Sequence, residues 1–145
     1  MNATNSGAQR AASPVFADQA AAFIAANAFD KPTLVISRSR VAAQYDALNA
    51  GLGRAQIHYA VKANPAPEII RMLVKKGSGF DCASRQEIEL CLSQGARAEN
   101  ISFGNTIKRA SDISFAYSAG VSLVAADCEA DLDKIARHAP GARVY

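Results

Sequence analysis

The stretch IHYAVKANPAPEIIRMLVKKGSGFDC, residues 57–82, decides the fold. It opens on an apolar run, Ile57–Val61, and closes on a second, Gly79–Cys82. Between them Ile69, Ile70 and Leu73 stand at helical spacing, the mark of one buried face. Gly77 follows where a helix ends in a left-handed residue. The stretch is a strand–helix–strand unit, and it repeats. Further strand-like runs sit at Ile101–Phe103, Ser122–Ala125 and Arg143–Tyr145, with centres recurring every 21 to 23 residues. Ile88/Cys91/Leu92, Ile113/Ala116/Tyr117 and Leu132/Ile135/Ala136 supply the intervening helical faces, and Gly95 and Gly120 again follow helices. Ser84-x-x-Glu87 reads as a capping box at one helix start.

Strand–helix repeats of this length produce a parallel sheet, because each helix must carry the chain back across a sheet face. Strands covered on both faces explain runs that are almost wholly apolar. An open doubly wound sheet and a (β/α)8 barrel both fit, and the regular period favours the barrel. A closed barrel typically needs about 250 residues. The expected fold is therefore α/β: a partial, truncated (β/α)8 TIM-type barrel with parallel strands. The sequence stops inside the strand-like run Arg143–Tyr145, which reads as a fragment, since an unpaired apolar edge is avoided in natural folds.

Upstream, residues 1–14 are small and polar and are expected to be disordered. Ala17–Phe29 reads as a helix stopped by Asp30-Lys31-Pro32, Thr33–Ser37 as a β-branched strand, and Arg38–Asn49 as a helix. Residues 15–53 thus lead into the barrel, whose first part occupies 54–145, and the Thr33–Ser37 strand is assigned to a second, β domain.

Composition excludes several functional classes. Half of the 145 residues are hydrophobic and 20% are charged, too apolar a balance for a disordered chain. The net charge of +3 comes from scattered basic residues, without the concentrated stripe of a nucleic-acid binder. The longest small apolar run, Ala20–Ala26, has seven residues, against roughly 20 for a membrane span. Cys82, Cys91 and Cys128 are odd in number and lack metal-ligand spacing, so reduced packing thiols in a cytoplasmic protein are expected, and no metal.

Chemistry concentrates at the expected strand ends, where active sites of barrels gather. On a strand His58, Ala60 and Lys62 would share one face. Two readings of Lys62 fit: a strand-end lysine reaching water, or a lysine sheltered in the lumen, nucleophilic when neutral and suited to an aldehyde. Ala60 would leave room beside it for a flat ring. Asp81 faces opposite to Phe80, and either pairs with Lys62 or starts the next helix. Glu87 has an adequate explanation as a cap. Asn105 and Lys108 read as solvated loop residues, His58 as a core or lumen histidine, and His138 as lying near a helix C-terminus.

YAVKAN, GSGFDCASRQEIEL, ISFGNTIK and GVSLVAADCEADLDKIA, taken together and in this order, resemble the N-terminal part of the ornithine/diaminopimelate/arginine decarboxylase family. The resemblance runs from about Leu34 to Tyr145 and is closer to ornithine decarboxylases, because Arg85-Gln86 stands where the diaminopimelate enzymes usually carry paired glycines. It implies an alanine-racemase-type barrel and pyridoxal 5′-phosphate as cofactor. Lys62 would hold that cofactor through a Schiff base, with Asp81 as the carboxylate beside the lysine. Ala60 would line the cofactor, and Glu87 would be a supporting acid. The implied reaction is decarboxylation of a basic amino acid, ornithine to putrescine in the nearest case, in a cytoplasmic homodimer with shared active sites. Partners would be a small amino-acid substrate, with neither nucleic acid nor membrane. The groups holding the phosphate and the pyridine nitrogen would lie beyond Tyr145, so the chain alone is expected to be inactive. The alternatives are a non-catalytic regulatory relative of ornithine decarboxylase, or another same-fold pyridoxal-phosphate enzyme: a lysine, diaminopimelate or arginine decarboxylase, or a racemase.

Overall fold

The computed structural model describes residues 14–145. The expected disorder of residues 1–14 lies outside the described residues except at Pro14, which opens a helix. The chain divides into two units at the Ser37–Arg38 boundary.

The first unit holds α1 (Pro14–Ala26). It stops three residues short of Phe29, where the Asn27 side-chain amide donates to the Phe23 carbonyl at 2.7 Å and satisfies a terminal acceptor. The strand expected over Thr33–Ser37 does not form: residues 32–37 are irregular and Leu34 is 83% exposed. β-branched residues favour a pleated, half-buried surface, and no strand among the described residues pairs with this one.

The second unit begins with α2 (Arg38–Leu52). Val41 and Tyr45 pack on the core, and Lys76 binds Asp46 at 2.7 Å, so α2 belongs with the sheet rather than with the segment before it. Five strands follow: β1 (His58–Ala60), β2 (Gly79–Cys82), β3 (Ile101–Phe103), β4 (Leu123–Val124) and β5 (Arg143–Val144). All pair in parallel with their sequence neighbours, in the order β1-β2-β3-β4-β5. A doubly wound sheet reverses its strand order at a switch point. This one never reverses, and it is part of a (β/α)8-type barrel.

The connecting helices are α3 (Pro67–Lys75), α4 (Arg85–Ser93), α5 (Ala110–Ser118) and α6 (Glu129–His138). Alternation along the strands sends Tyr59, Phe80, Cys82, Ile101, Phe103 and Val124 toward these helices. There Phe80, Cys82 and Ile101 are fully buried against Ile70, Ile88 and Ile113. His58, Ala60, Asp81, Ser102 and Leu123 lie on the other, lumenal face, where the register sets Ala60 beside Asp81 and Asp81 beside Ser102.

Three helices end alike. After α3, Gly77 N donates to Val74 O and Ser78 N to Leu73 O; Gly95/Ala96 and Gly120/Val121 repeat the pattern after α4 and α5. The glycines have φ of 80°, 93° and 90°, a region other residues rarely enter, so each turn requires glycine.

Candidate active site

The lysine comes first. β1 stops at Ala60, and Val61–Ala63 form one turn of 3-10 helix. The expected strand alternation therefore does not reach Lys62. Val61 is fully buried and pins the turn, while Asn64 N closes it on Val61 O at 3.1 Å. The Tyr59 hydroxyl donates to Asn64 O at 3.2 Å, and Asn64 Oδ1 accepts from Ala66 N at 3.0 Å. Burial pushes the Tyr59 hydroxyl above its ordinary value, against the opposing effect of that hydrogen bond. Lys62 thus stands exposed on a firmly held turn, with no hydrogen bond or ion pair to any described residue.

Asp81 lies on the adjacent strand, level with Ala60. It makes no ion pair with Lys62; its bonds run the other way. Ser102 Oγ donates to Asp81 Oδ1 at 2.8 Å, and the Tyr145 hydroxyl approaches the same oxygen at 3.4 Å. The carboxylate overlies Gly104, where a Cβ would stand only 2.0 Å from Asp81 Oδ1. His58 does the same to Gly79, its ring lying 2.8–2.9 Å from where a Cβ would be. His58, Asp81, Ser102, Leu123 and Tyr145 together line a hollow of about 440 Å3.

Glu87 stands apart from this hollow as a capping residue. Its Oε2 accepts from Ala83 N at 2.7 Å, while Ser84 Oγ accepts from Glu87 N at 3.2 Å. The reciprocal bond thus reaches one residue further back than in a capping box.

Two further groups separate from expectation. Asn105 is half-buried, its amide donating to Ala83 O at 3.0 Å. Lys108 is not a solvated loop residue: its side chain is 0% exposed and pairs with Asp131 at 2.5 Å. Lys108 Nζ also donates to Asn105 O and Ala125 O, both at 2.7 Å. Lys134 adds bonds to Asp131 Oδ1 at 3.3 Å and to Lys108 O at 2.9 Å. This network ties the loop after β3 to the end of β4 and to α6. Ser102, Gly104 and the Lys108–Asp131 pair escaped the sequence reading. The available signal was the polar Ser102 and the small Gly104 flanking Phe103 on lumenal parity.

Cys82 and Cys91 are free, buried thiols with sulfurs 3.8 Å apart, and Cys128 is exposed. The Cys91 contact first, then burial, pushes the Cys82 thiol up. His138 ends α6, with Nδ1 3.2 Å from Ser114 Oγ. No described helix is long and apolar enough to cross a membrane.

Solved structures similar in fold include the Paramecium bursaria Chlorella virus arginine decarboxylase bound to agmatine. It has a TM-score of 0.81 and 29% identity, over 88% of this chain and 34% of that one. The Selenomonas ruminantium lysine decarboxylase with PLP and cadaverine matches with a TM-score of 0.77 and 32% identity, over 92% of this chain and 34% of that one. Among curated relatives, the chloroplastic ornithine decarboxylase of Nicotiana glutinosa is 40% identical over 76% of this chain and 26% of its own length. Antizyme inhibitor 2 of Xenopus laevis is 40% identical over 64% of this chain and 20% of its own. The chain thus spans about a quarter of the length of such relatives. The profile of the pyridoxal-binding domain of pyridoxal-dependent decarboxylases matches residues 38–145, and the chain belongs to that family.

Proposed function

We propose that Lys62 is the amine that binds pyridoxal phosphate, and that the whole protein decarboxylates a basic amino acid, with ornithine, yielding putrescine, the first choice. The observation that carries this is an exposed, unpaired lysine on a rigid turn at the carboxyl end of a barrel strand. Small Ala60 precedes it, and an acid stands on the next strand. These residues fit the cofactor: the amine is free to react with an aldehyde, and the methyl of Ala60 leaves space for a ring.

When bound, pyridoxal phosphate supplies the electron sink that accepts the pair left at Cα as CO2 departs. Lys62 would hold the cofactor through its Nζ, the amine that the turn leaves without a partner among the described residues. Because its turn is held by Val61, Tyr59 and Asn64, little ordering remains to be done on binding. The Asp81 carboxylate, level with Ala60 on the next strand, would face the cofactor from the lumenal side. Glu87 acts at one remove, fixing the Ala83–Ser84 backbone beside β2.

Ornithine rests on the Nicotiana relative, while arginine and lysine decarboxylases share the fold closely enough to stand as alternatives. The same reading includes a cytoplasmic homodimer with shared active sites. A partner-binding relative without decarboxylation is the second reading, favoured by the match to antizyme inhibitor 2.

Borohydride reduction of the whole protein with pyridoxal phosphate, followed by peptide mass spectrometry, tests the lysine. The expected result is a phosphopyridoxyl group on Lys62 well in excess of Lys31, Lys75, Lys76 and Lys134. Even labelling of all exposed lysines overturns the reading. Carbon dioxide release from ornithine, lysine and arginine by the whole protein then separates the substrates. Lys62 labelling without release from any of them favours the second reading.

A further inference from the structure

Asp81 has two places to go. On one side β3 offers the Ser102 hydroxyl at 2.8 Å and the gap over Gly104, into which the carboxylate fits only because no Cβ is there. On the other, β1 presents Ala60, the residue paired with Asp81 in the register, and beyond it the turn that bears Lys62. A methyl group leaves that side open. The structure shows the first placement, with the carboxylate turned to β3 and unpaired with Lys62.

We infer that Ser102 and Gly104 are positioning residues for Asp81. They hold its charge on the β3 side and so set how strongly it acts on the nitrogen that binds the cofactor. Ser102 is 97% buried; its hydroxyl donates to Asp81 Oδ1 and lies 3.4 Å from Phe80 O. Tyr145, whose hydroxyl meets both Ser102 and Asp81 Oδ1, shares the hollow with the other titratable neighbour, His58. A polar residue in the middle of an otherwise apolar strand has no packing reason to be there. Gly104 has no positive φ to demand glycine; the demand comes from the carboxylate above it. The two residues flank Phe103 on lumenal parity and act on the same oxygen, Asp81 Oδ1, one by attraction and one by making room.

Gly104→Ala fills the gap and expels the carboxylate toward β1, and Ser102→Ala removes the nearer of the two donors that retain it, leaving only the Tyr145 hydroxyl at 3.4 Å. Either change brings negative charge nearer the cofactor-binding nitrogen and favours its protonated form. This inference rests on the reading of Lys62 as the cofactor-binding amine.

The test loads the whole protein with pyridoxal phosphate and titrates the absorbance of the bound chromophore against pH. Both variants are expected to raise the midpoint by about one unit, the lower end of what an approaching opposite charge produces. Adding Asp81→Asn to either variant abolishes the rise. A loss of packing alone would not depend on residue 81. Unchanged midpoints in both variants, or a rise that survives Asp81→Asn, overturn the inference while the Lys62 reading stands. Absence of a Lys62-linked chromophore from the wild-type whole protein instead overturns the Lys62 reading and, with it, this inference. A readout without cofactor runs in parallel: the Asp81 carboxyl 13C resonance is expected to move in both variants, and no movement counts against the cradle directly.

Discussion

Lys62 and Lys108 both follow barrel strands by a few residues, and the fold treats them in opposite ways. Lys62 is exposed, on a turn whose backbone is fixed but whose amine touches nothing described. Lys108 is fully buried, its amine shared by Asp131, Asn105 O and Ala125 O. A lysine committed to three acceptors has no lone pair to offer and cannot act as a nucleophile without dismantling its surroundings. A lysine with no partner can react at little structural cost. The difference teaches that position at a strand end does not by itself leave an amine free to react.

Replacing each lysine by methionine breaks the comparison most directly. Lys108→Met strands Asp131 in the interior and is expected to cost about 3 kcal/mol, with Lys134 limiting the loss. Lys62→Met should change stability by less than about 0.5 kcal/mol while abolishing phosphopyridoxyl labelling. Urea unfolding of the two variants checks this, and equal destabilisation would erase the distinction. Ser84→Ala has a smaller expected effect, about 1 kcal/mol from the lost cap of α4, with no change in labelling at Lys62.

The cysteines repeat the contrast and give it a pH dependence. Contact with Cys91 and burial push the Cys82 thiol above its ordinary value of 9.0, and burial does the same to Tyr59 from 10.0. The folded chain therefore keeps these protons to higher pH than the unfolded one. The linked stability is complete below about pH 9 and declines as pH rises further. The urea midpoint should fall through that range, and a thiol reagent at pH 8 should label exposed Cys128 long before Cys82 or Cys91. A flat alkaline profile would place the thiols in a looser interior than their 3.8 Å contact describes.

Much of this was legible in the residues. β2 and β3 lie where their apolar runs place them, because each is bounded by a glycine or polar turn and filled with residues buried on the helix side. The helix ends were written in Gly77, Gly95 and Gly120. The end of β1 was not, since nothing local distinguishes a fifth strand residue from the first of a 3-10 turn. Nor was the fate of Lys108, whose partner Asp131 lies 23 residues on, in another helix. The cradle around Asp81 needed the register between β2 and β3, which no single strand encodes. Thr33–Ser37 failed for the converse reason: its β-branched residues state a preference that only a neighbouring strand could satisfy.

The three identical glycine endings after α3, α4 and α5 have an evolutionary consequence. Each returns the chain toward the amino end of the next strand, β2, β3 or β4, by the same helix ending, while the segments after the carboxyl ends of β1 and β3, which bear Lys62 and Lys108, are dissimilar. Variation can therefore accumulate at one rim without disturbing the other. Related barrels can diverge in which amino acid they accept while inheriting an unchanged floor.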